Sequence, residues 1–238
     1  MRGRHRNAVL TQTKTRDRVR DLAEVYTNAR EVKAMLELVP DMLPSATARR
    51  NIDRKFLEPA CGAGNFLVEI LERKLAYVEY GSMYRSINTF ETAVLRALSS
   101  LYGIDIDDEN VEQSRHFLRV EIEHHMNMQL NSRSATAGFF PAVDVILATN
   151  VVQADTLKDA GQIKVIDYRW QRRIGYILRE WSFLENNHKP QPDLFADPCV
   201  GSQADGASIH YSALMDHPQP TLASTSNTKF GIVGKADR

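Results

Sequence analysis

The sequence predicts an α/β domain of three layers around a mainly parallel sheet. Three observations predict it. Short apolar runs suited to buried strands alternate with longer stretches of helical periodicity, the pattern of helices packed on a parallel sheet. The run Phe56-Leu57-Glu58-Pro59 leads into Gly62 and Gly64, and a helical pattern takes over from Asn65. Glycine lets the backbone approach a ligand closely, and a helix start offers free N–H groups, so such a corner suits an anion or a nucleotide. Farther on, Leu101-Tyr102-Gly103-Ile104-Asp105-Ile106-Asp107 reads as a second strand ending in acid.

Composition narrows the classes. Of 238 residues, 43% are hydrophobic and 25% charged, as in ordinary globular proteins. No apolar run approaches the ~20 residues of a membrane span. The basic start is not followed by the apolar core of a signal peptide, so none is expected. Two cysteines, Cys61 and Cys199, make no disulfide framework, and a reducing cytoplasm is the expected compartment. The formal net charge is +0, so any pull toward nucleic acid must be local. Residues 1–20 are one such place: Arg2, Arg4, Arg6, Lys14, Arg16, Arg18 and Arg20 stand against the single acid Asp17. They read as a basic N-terminal arm, either solvated or touching phosphates.

Residues 21–185 are expected to form the domain. An early helix carries Val32, Met35, Leu36 and Val39 on one face, with Asn28 and Glu31 as a capping pair and Pro40 as its stop. The helix after the glycine corner turns Leu67, Ile70, Leu71, Leu75 and Val78 inward, pairs Glu69 with Arg73 outward, and stops at Gly81-Ser82. Another helix is expected over residues 88–99, and one from Asn110 with Asp107 as its cap. His116, His124 and His125 lie on it without the spacing of metal ligands and are expected to face solvent. Val143-Asp144-Val145-Ile146-Leu147 reads as the start of a buried strand continuing to Leu157. The residues from Ile174 to Leu184 read as the last strands of the same sheet. From residue 186 to 238 the periodicity is lost, which predicts a disordered C-terminal tail.

A dinucleotide loop would want a small residue at Leu67, which is bulky. The corner instead resembles a different family. Glu58-Pro59-Ala60-Cys61-Gly62-Ala63-Gly64-Asn65-Phe66-Leu67 resembles motif I of the methyltransferases that modify DNA adenine at N6, of restriction–modification or phage type. Glu24-Val25-Tyr26-Thr27 looks like their motif X, with Ala23 and Asn28 in place of a glycine and a proline. The strand ending at Asp105 resembles motif II, and the one reaching Asp155 resembles motif III. The resemblance implies a Rossmann-like domain that binds S-adenosylmethionine through Thr27, Glu58, Pro59, Gly62, Gly64, Phe66, Asp105 and Asp155. Asp105 would accept from both ribose hydroxyls and Asp155 from the adenine amine. A capping or turn role for Thr27 and Asp155 stays open from the residues alone.

The family's catalytic Pro-Pro loop is missing: no Pro-Pro pair occurs in the chain. Its nearest counterpart is an apolar strand ending at Asp167, with Trp170 three residues on and Tyr168 and Arg169 where the prolines belong. Asp167 would accept from the amine and Trp170 would stack on a flipped base. An ordinary strand with aromatics is the alternative. The resemblance thus implies a DNA methyltransferase, or a cofactor-binding companion that needs a specificity or catalytic partner subunit. No target-recognition domain is expected.

Gln191-Pro192-Asp193-Leu194-Phe195 resembles the short peptide with which bacterial replication and repair proteins dock on the sliding clamp. Gln191, Leu194 and Phe195 are its candidate contacts. A labelled 186–200 peptide should bind bacterial clamp at micromolar affinity, about −8 kcal/mol, in fluorescence anisotropy. Equal binding by a Leu194→Ala, Phe195→Ala peptide would remove the assignment.

Overall fold

The computed structural model describes residues 27–159, 161–183, 208–220 and 231–232. The basic arm and the 191–195 pentapeptide lie outside the described residues. Five helices are described: α1 (Ala29–Leu36), α2 (Asn65–Leu75), α3 (Ile87–Ser99), α4 (Asp108–Leu130) and α5 (Phe139–Asn150). The strands are β1 (Phe56–Glu58), β2 (Leu101–Asp105), β3 (Val151–Gln153), β4 (Lys164–Trp170), β5 (Tyr176–Phe183), β6 (Ile209–His210) and β7 (Gly231–Ile232).

The helix signals hold where cap and periodicity agree. Asn28 and Glu31 form the reciprocal capping box at α1. Asp107 caps α4 by accepting from Glu109 N–H at 3.0 Å. Leu67, Ile70, Leu71, Leu75 and Val78 are all buried, and Glu69 pairs with Arg73 at 3.0 Å. Helix α2 ends at Leu75, before Gly81, which sits in a later turn with φ 86°. His125 is not a solvated residue. Its Nε2 meets the Val78 carbonyl at 2.9 Å, and its ring stacks on Phe90.

Strands β3-β2-β1-β7 lie in that order and all run parallel. Side chains alternate across them. Phe56, Leu101 and Val151 join the helices in one core cluster. Leu57, Tyr102, Ile104 and Val152 point to the other face, where Ile163 and Val165 cover them. Among the described residues that second cover is thus the entry to β4, not the third, helical layer expected.

Two strand expectations are corrected. Val143–Leu147 lies in helix α5, because Phe139, Ala142, Val143, Ile146, Leu147 and Asn150 bury one side at a 3.6-residue period. Pro141 is tolerated in its first turn, where its missing N–H costs no bond. The residues after Ile174 do not extend the parallel sheet. Strands β4, β5 and β6 form a separate antiparallel sheet.

The stretch expected as tail from residue 186 is also corrected for residues 208–217. Tyr211 and Leu214 are buried, and the Tyr211 hydroxyl donates to Glu91 at 2.6 Å. Glu91 also accepts from Thr136 N–H at 2.6 Å, so this segment is pinned on the helical layer. The apolar spacing that marks a long element is too short here to be read locally.

Lys74 is fully buried, donating to the carbonyls of Ile52 and Arg54 at 3.1 and 2.6 Å and to the Ser100 hydroxyl. Burial lowers its pKa to about 7, and Asp53 opposes that only in part. Between that value and the ordinary lysine value near 10.4, the unfolded chain holds the extra proton, so stability rises with pH. Urea unfolding from pH 7 to 10 should show the wild type gaining on Lys74→Met by up to about 1.4 kcal/mol per pH unit. Parallel pH profiles would refute the lowered pKa of Lys74.

Candidate functional site

The carboxyl ends of β1, β2 and β3 meet at one edge. Glu58 ends β1, and the corner that follows turns through Gly62 at φ 52° and Gly64 at φ 89° before α2 begins. The corner is tied to the neighbouring tip: Cys61 N–H donates to Ile104 O at 2.8 Å, and Gly62 N–H donates to Asp105 Oδ2 at 2.8 Å. The third tip joins through Ala154 N–H to Asp105 O at 2.9 Å and Thr156 Oγ1 to Pro59 O at 3.1 Å. Glu58, Pro59, Gly62, Gly64, Asp105 and Asp155 therefore share one edge. Phe66, the second residue of α2, is half-buried against the core, and Thr27 is half-buried just ahead of the α1 cap.

The two glycines differ in kind. A Cβ at Gly62 meets open space, so this position needs glycine for its turn and leaves its outer side clear. A Cβ on Gly64 would stand 2.5 Å from Ser114 Oγ and 3.1 Å from Ser114 Cα, so Gly64 lets α4 pack against the start of α2. A third glycine went unread in the sequence. Gly103 on β2 would place a Cβ 2.7 Å from Leu67 Cδ1. The bulk of Leu67 is accommodated by a glycine on the strand, where a dinucleotide loop puts the small residue on the helix.

The edge is acidic. Burial pushes Glu58 up to about 7, with the Ala60 N–H pulling weakly the other way. Cys61 is pushed up to about 12 by burial first, and then by Asp105 and Glu58. That thiol stays protonated and acts as packing. Asp105 is 8% exposed, and its carboxylate accepts from Gly62 N–H, from Asp107 N–H at 2.9 Å and from Asn110 Nδ2 at 3.1 Å. Three of a carboxylate's roughly four acceptor positions are engaged, leaving room for one further donor where the sequence suggested two. Asp155 turns its carboxylate on its own turn, accepting from Leu157 and Lys158 N–H and pairing with Lys158 at 3.1 Å, which lowers its pKa.

Asp167 and Trp170 are not brought to this edge. Both sit within β4, paired in register with Glu180 and Ile177 of β5. Asp167 binds Lys55, the residue before β1, at 2.5 Å, and Trp170 Nε1 donates to the hydroxyl of Ser99, two residues before β2. Ile166 N–H reaches Asn150, just before β3. Strand β4 therefore crosses the amino ends of the parallel strands, opposite the glycine corner. Of the two readings of this segment, the ordinary strand with aromatics is the one that forms, because Tyr168 and Arg169, unlike prolines, keep the N–H groups a ladder needs. Arg169 also holds the facing carboxylates of Asp167 and Glu180, at 3.3 and 2.9 Å.

In open α/β sheets, ligands bind outside the carboxyl ends of the strands, where strand order reverses. Here that point lies at β1, between β2 on one side and β7 on the other. Fold and edge define an α/β domain whose glycine corner lies at the position where such sheets take their ligands. The family model of the MmeI DNA-methyltransferase domain matches residues 41–179, more than half of the chain. The chain belongs to this family of restriction–modification DNA methyltransferases. No curated protein and no solved structure matches it. Among the described residues no helix is long and apolar enough to cross a membrane, and no group of acids, histidines and cysteines is placed to hold a metal.

Gly64→Ala should lower the melting temperature without any ligand, because its Cβ meets the Ser114 backbone and overpacking costs about 1–3 kcal/mol. Gly62→Ala should cost only the left-handed backbone term, about 1–2 kcal/mol. Thermal unfolding of both variants checks the order.

Proposed function

We propose that the chain is an S-adenosylmethionine-dependent DNA methyltransferase acting on adenine N6. The observation that carries this reading is the acidic glycine corner at the carboxyl edge, inside the segment matched to the methyltransferase family. The cofactor carries a sulfonium and an ammonium, and an edge holding Glu58, Asp105 and Asp155 suits such a cation. Gly62 leaves open space for its approach, and Asp105 keeps one acceptor position for a ribose hydroxyl. The methyl group would pass by direct displacement from sulfur to the amine nitrogen, so the protein's work is positioning and exclusion of water.

A second reading has its own support. The described residues assemble the cofactor edge, while Asp167 and Trp170 stand at the opposite edge with partners of their own. A companion role, with the amine acceptor supplied across the β1 crevice by another chain, fits that separation. Contacts to the sliding clamp and to a partner subunit remain proposals from the sequence.

Two measurements test this. Purified protein should bind S-adenosylmethionine in calorimetry, and affinity should fall as pH drops from 8 to 6 because Glu58 takes up a proton near 7. Glu58→Gln should flatten that profile; absence of wild-type binding at millimolar cofactor would defeat the proposal. Transfer of labelled methyl to adenine-containing DNA by the chain alone separates the enzyme from the companion. Asp167→Ala should leave cofactor affinity intact, and loss of transfer in that variant alone would return it to the reaction.

A further inference from the structure

We propose that Asn110 is a positioning residue that aims Asp105 so that a single ribose hydroxyl of the cofactor is recognised. The inference rests on the cofactor reading above. Asn110 is 2% exposed in the first turn of α4, and its Nδ2 donates to Asp105 Oδ1 at 3.1 Å. The same oxygen accepts from Asp107 N–H at 2.9 Å, so both of its lone pairs are engaged. Among the described residues Oδ2 has one donor, Gly62 N–H at 2.8 Å, and carries the remaining acceptor position. The open position therefore lies on the oxygen that faces the glycine turn.

The chemistry of Asn110 matters. An amide donates without adding charge, so the orientation of the Asp105 side chain is fixed with no competing acid beside it. A carboxylate in its place would compete for the same proton, and an aliphatic side chain would leave Oδ1 short of a donor. One turn farther along the same buried face, Ser114 packs on Gly64, so α4 sets both the acid and the turn beside it. Two ribose hydroxyls presented to this edge are consequently unequal: one meets Asp105 Oδ2, and the other has no place on that carboxylate. The titratable groups around the pair are Glu58 and Cys61 of the corner and Asp107 of the same turn.

The test is equilibrium binding by the full chain of S-adenosylmethionine and of two analogues, each lacking one ribose hydroxyl. The wild type should lose about tenfold or more with one analogue, the scale of a hydrogen bond to a charged group, and little with the other. Asn110→Ala should weaken the natural cofactor about tenfold and abolish the difference between the analogues. Asn110→Asp, which preserves shape, should bind weakly at pH 8 and recover as pH falls toward 5, when the two carboxyls share a proton. That trend is opposite in sign to the wild-type one set by Glu58. Thermal unfolding of each variant identifies any that fails to fold. Wild-type discrimination retained in Asn110→Ala, or equal weakening of all three ligands, would overturn the proposal. Equal loss with both analogues in the wild type would overturn the single-hydroxyl recognition. Failure of the wild type to bind any of the three would instead remove the cofactor reading, and this inference with it.

Discussion

The hydrogen bond from Gly62 N–H to the Asp105 carboxylate is the constraint on which the edge depends. It closes a turn that only glycine enters easily and locks that turn to the tip of the adjacent strand. A nearly buried carboxylate is costly unless donors surround it, and Asp105 meets three. Those donors come from the corner, from its own turn and from α4. Displacing any of the three moves the acid and the loop together. The third strand tip is coupled to the same unit through Ala154 and Thr156.

Around this tie the packing is asymmetric. The helices and one face of the sheet share a continuous apolar core, which α2 and α4 approach closely through Gly64 and Gly103. The other face is served by Ile163 and Val165 at the entrance of β4. That strand then runs to the amino ends of β1, β2 and β3, where Lys55, Ser99 and Asn150 fasten it. Asp167 and Glu180 face one another across the hairpin, and Arg169 bridges both, so their burial is compensated within the sheet. The glycine corner and this ionic girdle therefore occupy opposite ends of the parallel strands.

What was legible in the sequence was local. The capping pair of Asn28 and Glu31, the cap at Asp107, the inward stripe of α2 and the pairing of Glu69 with Arg73 each depend on residues within a turn or two. The glycine corner and the acid at the tip of β2 were legible for the same reason. The apolar run at 143–147 misled because strand and buried helix look alike over five residues; the period that distinguishes them appears only over the twelve from Phe139 to Asn150. Asn110 and Ser114 were passed over, although two polar residues four apart on a buried helix face are a readable signal.

The sequence by itself determined a glycine corner between strand and helix, an acid on the next strand and the family to which they point. Propensity, capping and turn chemistry act over a few residues, so these features do not wait for the rest of the chain. Tertiary structure alone decided which residues share the edge. It set Asp105 against Gly62, 43 residues away, and drew Asp167 to Lys55, 112 residues away, at the other end of the strands. It also brought Tyr211 onto Glu91, 120 residues back along the chain. Such contacts follow from sheet order and helix packing, which pattern in one segment cannot encode because the partner lies in another.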